Sequence, residues 1–341
     1  MAAESDLSSV LAEYPPEYRP YRVEELGSAG GFSGARFWRL HSPAGLLCLR
    51  RWPKEHPNLE RLQFIQAALW HVTLEGFDWV PLPRETRNQA GFVRYGGYFW
   101  EISPWLRGKA DFRENPTIER LRAAMEALAR FHRAAESFPV PDPQPGASPG
   151  IQDRLERLQK WVAGDLADLI PSVRHDLWPE LEKRVAKILQ LTPLAAGDVL
   201  TALSRASRAA VPLQVCIGDI WHDHVLYLGN RVSGLVDFGS MRIDTVSADL
   251  ARLLGSMAGD DPALWREGIG AYQTIRALAS AEQGLLEAFD RSNVLMSGLN
   301  WIDWIYRQRR QFESRQAIPG RLDDIVLRLE HLARSGTLPE W

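Results

Sequence analysis

Apolar residues recur in short alternating runs over roughly the first hundred positions of this chain, and at helical spacing over most of the remainder. Tyr21–Leu26, Ala35–His41 and Leu46–Trp52 are rich in aliphatic and aromatic residues and read as strands, the last two joined by the turn Ser42-Pro43-Ala44-Gly45. Phe92–Tyr95 and Tyr98–Ile102 flank Gly96-Gly97, whose free φ suits a two-residue hairpin turn. Between these groups Leu62, Ile65, Leu69 and Val72 follow Pro57 and Asn58 at helical spacing, which predicts a helix over 58–75. The predicted order is three strands, one helix and two strands.

After Trp105-Leu106-Arg107-Gly108 the pattern becomes helical. Asn115-Pro116 reads as a cap and first-turn proline for a helix whose stripe is Leu121, Met125, Leu128 and Phe131/His132. Pro139–Gly150 reads as a surface loop, followed by amphipathic segments at 151–169, 177–192 and 195–208. Strands return at Leu213–Ile217, Val225–Leu228 and Gly234–Val236, and 247–335 is again mostly helix. The expected organisation is a β-rich lobe over 1–106, ending in a linker, and a helical lobe over 107–341.

Composition narrows the class. The 341 residues are about twice a usual domain, and 45% hydrophobic with 24% charged residues is globular rather than disordered. A net charge of −3 lacks the basic excess of a dedicated nucleic-acid binder. No apolar run approaches the ~18 residues that span a bilayer. Met1-Ala-Ala-Glu-Ser-Asp6 is acidic with no apolar stretch behind it, so no signal peptide is expected. Two cysteines, Cys48 and Cys216, are too few for a disulfide framework or zinc ribbon. A cytoplasmic protein acting on small molecules, with neither nucleic acid nor membrane as partner, is the expectation.

Chemistry concentrates in Cys216-Ile-Gly-Asp219-Ile-Trp-His222-Asp223-His224 and Gly234-Leu-Val-Asp237-Phe238-Gly239. Asp219 and Asp237 each lie in a tight loop beside a short apolar strand. Phosphoryl transfer uses such a pair: one carboxylate orients the attacking hydroxyl and takes its proton, and another holds Mg²⁺ on the phosphates. At these residues the chain resembles the superfamily of aminoglycoside phosphotransferases, choline kinases and homoserine kinases. The resemblance covers roughly residues 20–315. It implies an α+β, bilobal protein-kinase-like fold, with a small antiparallel β-sheet amino-terminal lobe and a larger, mainly helical carboxy-terminal lobe. It implies that the protein moves the γ-phosphate of ATP to a small-molecule hydroxyl, with Asp219 as base, Asp237 as Mg²⁺ ligand, and Asp249, in Ser247-Ala-Asp-Leu-Ala-Arg252, bracing the catalytic loop. An isolated Asp-Phe-Gly is commonly only a turn; Asp219 and Asp249 at the right distances favour the metal loop.

Two positions depart from the family pattern. Ile217 stands where the family usually has His, and His224 where it has a second metal-binding Asn. Mg²⁺ prefers oxygen ligands, so an imidazole there points to Mn²⁺, to a phosphate or water contact, or to a loop histidine bonded to backbone. In the first lobe Gly27-Ser-Ala-Gly30-Gly31-Phe32-Ser33-Gly34 is either a flexible hairpin or a loop whose amides approach phosphate. The resemblance implies the second, with Gly30, Gly31, Phe32 and Ser33 over ATP. It also puts Arg50 at the family's ATP-contacting lysine, where a guanidinium can fork phosphate oxygens. Arg51 faces the other way on a regular strand. Glu60 is the candidate acidic partner of Arg50, although the helix dipole alone favours a carboxylate there. Ser103 and Trp105 lie in the segment matching the linker that binds adenine.

Trp301, Asp303 and Trp304 offer indole faces and a carboxylate, an acceptor site for a cation or else core packing. Arg307-Gln-Arg309-Arg310 reads as a solvated helix face. Two rivals to the kinase remain: a catalytically weak or inactive relative that binds nucleotide or a partner, motivated by Ile217 and His224, and a metal-dependent hydrolase built from Asp219, His222, Asp223, His224 and Asp237.

Overall fold

The strands marked by alternation pair into one antiparallel sheet. A computed structural model describes residues 4–28, 34–141, 144–170, 173, 178–310, 312 and 315–335. Its first elements are α1 (Glu4–Ala12), β1 (Arg22–Gly27), β2 (Arg36–Ser42), β3 (Gly45–Arg51), α2 (Leu59–Leu74), β4 (Val93–Tyr95) and β5 (Tyr98–Pro104). The sheet order is β1-β2-β3-β5-β4. Register decides which side chains share a face: Trp38 opposes Leu49, which opposes Ile102, while Phe37 opposes Arg50, which opposes Glu101. Trp38, Leu40, Leu47, Leu49, Trp100 and Ile102 are buried together, with Trp38 and Trp100 stacked at 5.4 Å. Val10 of α1 and Tyr14 complete this cluster. Arg50 and Glu101 thus occupy the sheet face opposite the Trp38–Leu49 layer.

Four later strands follow: β6 (Gln214–Cys216), β7 (Val225–Leu228), β8 (Arg231–Leu235) and β9 (Arg242–Asp244). They form two antiparallel pairs, β7 with β8 and β6 with β9. The chain divides into two compact units, Met1–Ala110 with His224–Gly239, and Asp111–Asp223 with Ser240–Trp341. The β7–β8 hairpin therefore belongs to the first unit, where Leu235 N donates to Trp79 O at 2.8 Å.

The second unit is helical: α3 (Ile118–Ala135), α4 (Pro149–Lys160), α5 (Leu166–Leu169), α6 (Glu182–Ala206), α7 (Ser247–Ala258), α8 (Pro262–Gln273), α9 (Ser280–Gln283), α10 (Leu286–Ile302) and α11 (Ala317–Ser335). Its details correct two expectations. The cap of α3 is Thr117, whose hydroxyl accepts from Arg120 N, while Asn115 turns back to Asp111 and Pro116 stays outside the helix. The segments expected at 177–192 and 195–208 fuse into α6, which runs through Pro193. A proline there removes one helical hydrogen bond. The buried face of Ile188, Leu191, Ala195, Ala196 and Val199 continues across it, so packing outweighs that loss.

Candidate functional site

In the helical unit the loop after β6 is held through its backbone. Gly218 has φ of +86°, and a Cβ there would collide with the Ser240 carbonyl, so only glycine fits the turn. Asp249, fully buried in the first turn of α7, receives Ile217 N on Oδ2 at 2.6 Å and Gly218 N on Oδ1 at 2.8 Å. His132 Nε2 lies 3.1 Å from the same Oδ2, and its Nδ1 lies 2.8 Å from the Tyr272 hydroxyl. With Asp249 as acceptor, Nε2 carries the proton and Nδ1 accepts from Tyr272. Burial pushes the His132 pKa below its ordinary value and outweighs the opposing pull of Asp249. The side chain from α3 thus supports Asp249 while Ile217 offers only its amide to the loop. His132 sits on the stripe that sequence alone reads as core, and nothing local distinguishes it from a packing residue.

Asp219 projects from this fixed loop with about half of its side chain exposed, and Arg252 Nε of α7 donates to its Oδ1 at 2.8 Å. Asp223 pairs with Arg321 at 2.8 Å and lies 3.3 Å from His222 Nε2, and the Arg321 guanidinium sits 3.4 Å from the Trp221 ring centroid. Among the described residues the His, Cys, Asp and Glu side chains that converge as a potential metal group are His132, Cys216 and Asp249. None of these belongs to the candidate hydrolase cluster, and their atoms are already engaged: Cys216 Sγ donates to Asp244 O, and His132 and Asp249 bond as above.

The β-rich unit holds its own charged group. Arg50 on β3 donates to Asp237 Oδ1 at 3.3 Å, and its guanidinium lies 3.3 Å from the Trp52 ring centroid. Glu101 faces Arg50 across the β3–β5 ladder. Gln66 of α2 donates through Nε2 both to Glu101 Oε2 and to Gly91 O, each at 3.1 Å. Loss of water raises the Glu101 pKa more than Arg50 and Gln66 lower it. Glu60 is exposed in the first turn of α2, and the α2 residue that reaches the Arg50 neighbourhood is Gln66, one not singled out by the sequence. Ser103 is buried on β5 opposite Cys48, and Trp105 carries the Arg39 guanidinium 4.1 Å above its ring. Gly30, Gly31, Phe32 and Ser33 lie outside the described residues.

Asp237 adopts φ of +63°, unusual for a residue with a side chain. Burial opposes its charge, but Arg50, His224 and the Gly239 amide outweigh that and hold its pKa below the usual carboxylate range. His224 Nε2 is 3.6 Å from Asp237 Oδ2. One hard carboxylate and one imidazole this close can share a divalent cation whose other positions go to phosphate and water oxygens. The donor set fits the metal that the resemblance implies, with nitrogen where oxygen is usual.

At the carboxy-terminal end Trp301 and Trp304 meet edge to face at 5.4 Å. Asp303 is buried and paired with Arg307, and Arg310 lies 4.7 Å from the Trp304 ring centroid. The carboxylate and ring that would receive an external cation already hold internal ones.

Residues 26–283 match the profile described as "Phosphotransferase enzyme family". A homoserine kinase of Allorhizobium ampelinum is 25% identical over 309 residues, 89% of this chain and 86% of its own. Among solved structures, an amicoumacin kinase in complex with AMP-PNP, Ca²⁺ and amicoumacin superimposes with a TM-score of 0.66 at 12% identity, over 100% of this chain and 96% of that one. A spectinomycin phosphotransferase with ADP and spectinomycin gives a TM-score of 0.66 at 10% identity, over 98% of both chains. No described helix is long and apolar enough to cross a membrane. The fold is kinase-like, and because the family match runs from the first strand through the Asp219 loop, the Asp237 loop and α7, the chain belongs to the phosphotransferase enzyme family.

Proposed function

We propose that this protein is an ATP-dependent kinase of a small-molecule hydroxyl, with Asp219 as base. The observation that carries this reading is the grip of buried Asp249 on the Ile217 and Gly218 amides, which leaves the next side chain, Asp219, half exposed on a fixed backbone. In the proposed reaction the acceptor oxygen bonds to the γ-phosphorus, the bond from that phosphorus to the β–γ bridging oxygen breaks, and the hydroxyl proton passes to the Asp219 carboxylate. Arg252 orients that carboxylate through its Nε–H. Arg50, stacked on Trp52, is suited to fork phosphate oxygens of the nucleotide. Asp237 and His224 would hold the divalent cation. When bound, that ion neutralises charge on the β- and γ-phosphate oxygens.

A nucleotide-binding relative with weak or no turnover is the second reading. The Arg50–Asp237 ion pair favours it, because each group occupies the other's charge. A screen of ATP consumption over hydroxyl metabolites, run with Mg²⁺ and with Mn²⁺, separates the two. Acceptor-dependent ADP release with a matching phosphorylated product supports the kinase. Nucleotide binding without any acceptor-dependent release supports the second reading.

A further inference from the structure

At the contact between α4 and α10 two arginines bond to amide and carbonyl oxygens rather than to carboxylates. Arg154 of α4 donates to Gly150 O at 3.1 Å and to Asn293 Oδ1 at 2.9 Å, with its guanidinium 4.9 Å from the Phe289 ring centroid. Three residues on, Arg157 donates to Asn300 Oδ1 at 2.6 Å. Among the described residues neither arginine has a carboxylate within ion-pair distance. Their neighbours differ: Arg242 pairs with Asp244 at 2.8 Å and Asp153 at 3.4 Å, and Arg252 pairs with Asp219. Asn293 Nδ2 is a buried donor left without an acceptor.

The Arg154–Arg157 stripe lies on the same framework as the proposed base. A Cβ at Gly150 would collide with the Asp244 carboxylate and the Arg242 guanidinium, so the first turn of α4 rests on that ion pair. Asp244 and Arg242 form β9, which pairs with β6, the strand leading into the Asp219 loop. Burial and the charge of Arg242, with smaller contributions from Arg252 and Arg157, outweigh the opposing pull of Asp244 and draw the Arg154 pKa down to about 10. A desolvated cation crowded by like charge is costly unless an anion joins it. An oxyanion lowers that cost, whereas an added cation raises it.

We infer that Arg154 and Arg157 recognise an oxyanion, a carboxylate or a phosphate ester, carried by the acceptor, so that the hydroxyl substrate is an acid rather than a polyamine or choline-like cation. This inference rests on the kinase reading for the location of the reacting hydroxyl, but the anion site itself does not depend on turnover. Two guanidiniums one helical turn apart can each offer N–H donors to such a group, and the Asn293 amide adds a donor from α10.

The test uses the full chain and five probes of similar size: glycerate, glyceramide, glycerol 3-phosphate, glycerol and choline. Binding is read first by calorimetric titration without nucleotide, then as the acceptor KM in ATP-consumption assays. Glycerate or glycerol 3-phosphate should bind, the first naming a carboxylate and the second a phosphate, while glyceramide, glycerol and choline should not. Arg154→Gln and Arg157→Gln should each weaken anion binding about tenfold or more, the range for losing a charge-assisted hydrogen bond, with the KM for ATP unchanged. Arg157 is exposed, so its variant reports on recognition even if Arg154→Gln unfolds, and Arg154→Lys should keep part of the anion preference. No response of the native protein to either anion, or equal losses for charged and neutral probes in the variants, would overturn the inference. Anion binding without ATP consumption across the whole screen of hydroxyl metabolites sinks the kinase reading and leaves the anion site standing; turnover of choline in preference to either acid does the reverse.

Discussion

In the helical unit the loop that carries Asp219 is held by backbone amides bonded to Asp249, and Asp249 is itself backed by His132 and Tyr272. In the β-rich unit Arg50 and His224 lie 3.3 and 3.6 Å from Asp237, which is nearly half exposed. The first arrangement is buried and leaves its members few alternatives. The second consists of charges that can exchange one partner for another, as a site for phosphate and metal must. The difference teaches where substitution is tolerated. The loop proposed to carry the base keeps Gly218-Asp219 and the bracing Asp249, whereas the positions proposed for phosphate and metal carry Arg50 and His224 in place of the residues usual in the superfamily the chain resembles.

The largest expected effect is at Asp219. Asp219→Asn should lower phosphoryl transfer by about 10²-fold or more, the usual cost of removing a general base, with nucleotide affinity retained. Near-native turnover with a proper acceptor would take Asp219 out of the mechanism. Next comes Asp249→Ala, which strands two loop amides and the His132 N–H. Buried donors left unmade cost about 1–3 kcal/mol each, so with three of them urea unfolding should show a loss of about 3 kcal/mol or more, and turnover should fall although Asp249 is not expected to touch substrate. A stable, fully active variant would mean that the loop is held in some other way.

The two units should also respond oppositely to pH. His132 has a folded pKa below its ordinary 6.5, chiefly through burial. As pH falls through 6.5 the unfolded chain takes up a proton that the folded chain resists, so stability is lost toward acid. His132→Gln should flatten the unfolding free energy between neutral and mildly acid pH. Glu101 has a folded pKa above its ordinary 4.5, again chiefly through burial. The folded chain there holds its proton more tightly, so its contribution is fullest below 4.5 and is lost as pH rises through the raised value. Glu101→Gln should remove that downward slope. A slope unchanged in either variant would reassign it to another group.

The smallest effect expected is at His224. An imidazole suits Mn²⁺ better than Mg²⁺, so His224→Asn should move the metal preference of turnover toward Mg²⁺. Unchanged preference would leave Asp237 as the sole protein ligand in the proposal.

Much of the fold is legible because alternation reports burial directly. The runs Ala35–His41, Leu46–Trp52 and Tyr98–Ile102 become β2, β3 and β5 within a residue or two at each end, since one face of each packs in the Trp38–Trp100 layer. Helix α1 escapes notice because only Leu7, Val10 and Leu11 are large apolar residues in Glu-Ser-Asp-Leu-Ser-Ser-Val-Leu-Ala. Strand β9 spans three residues, too few to show a period. In the candidate site, Gly218-Asp219 and Asp249 are legible through the resemblance to a family motif, and at Gly218 the close approach of the Ser240 carbonyl gives the physical reason for the residue type. Gln66, Glu101, His132 and Arg252 are not: each reaches its partner through tertiary register, and Glu101 meets Arg50 only once β5 has paired with β3. Conversely, Glu60 satisfies a local helix preference that says nothing about Arg50.

Nucleotide and metal are proposed to meet at Asp237 while the base acts separately, and calorimetric titration with the non-hydrolysable analogue AMP-PNP tests this most directly. Native protein and Asp219→Asn should bind it with similar affinity and only in the presence of Mg²⁺ or Mn²⁺, and Asp237→Ala should lose the metal-dependent binding with either ion. Absence of binding to the native protein, or affinity in Asp237→Ala equal to native, would contradict the account.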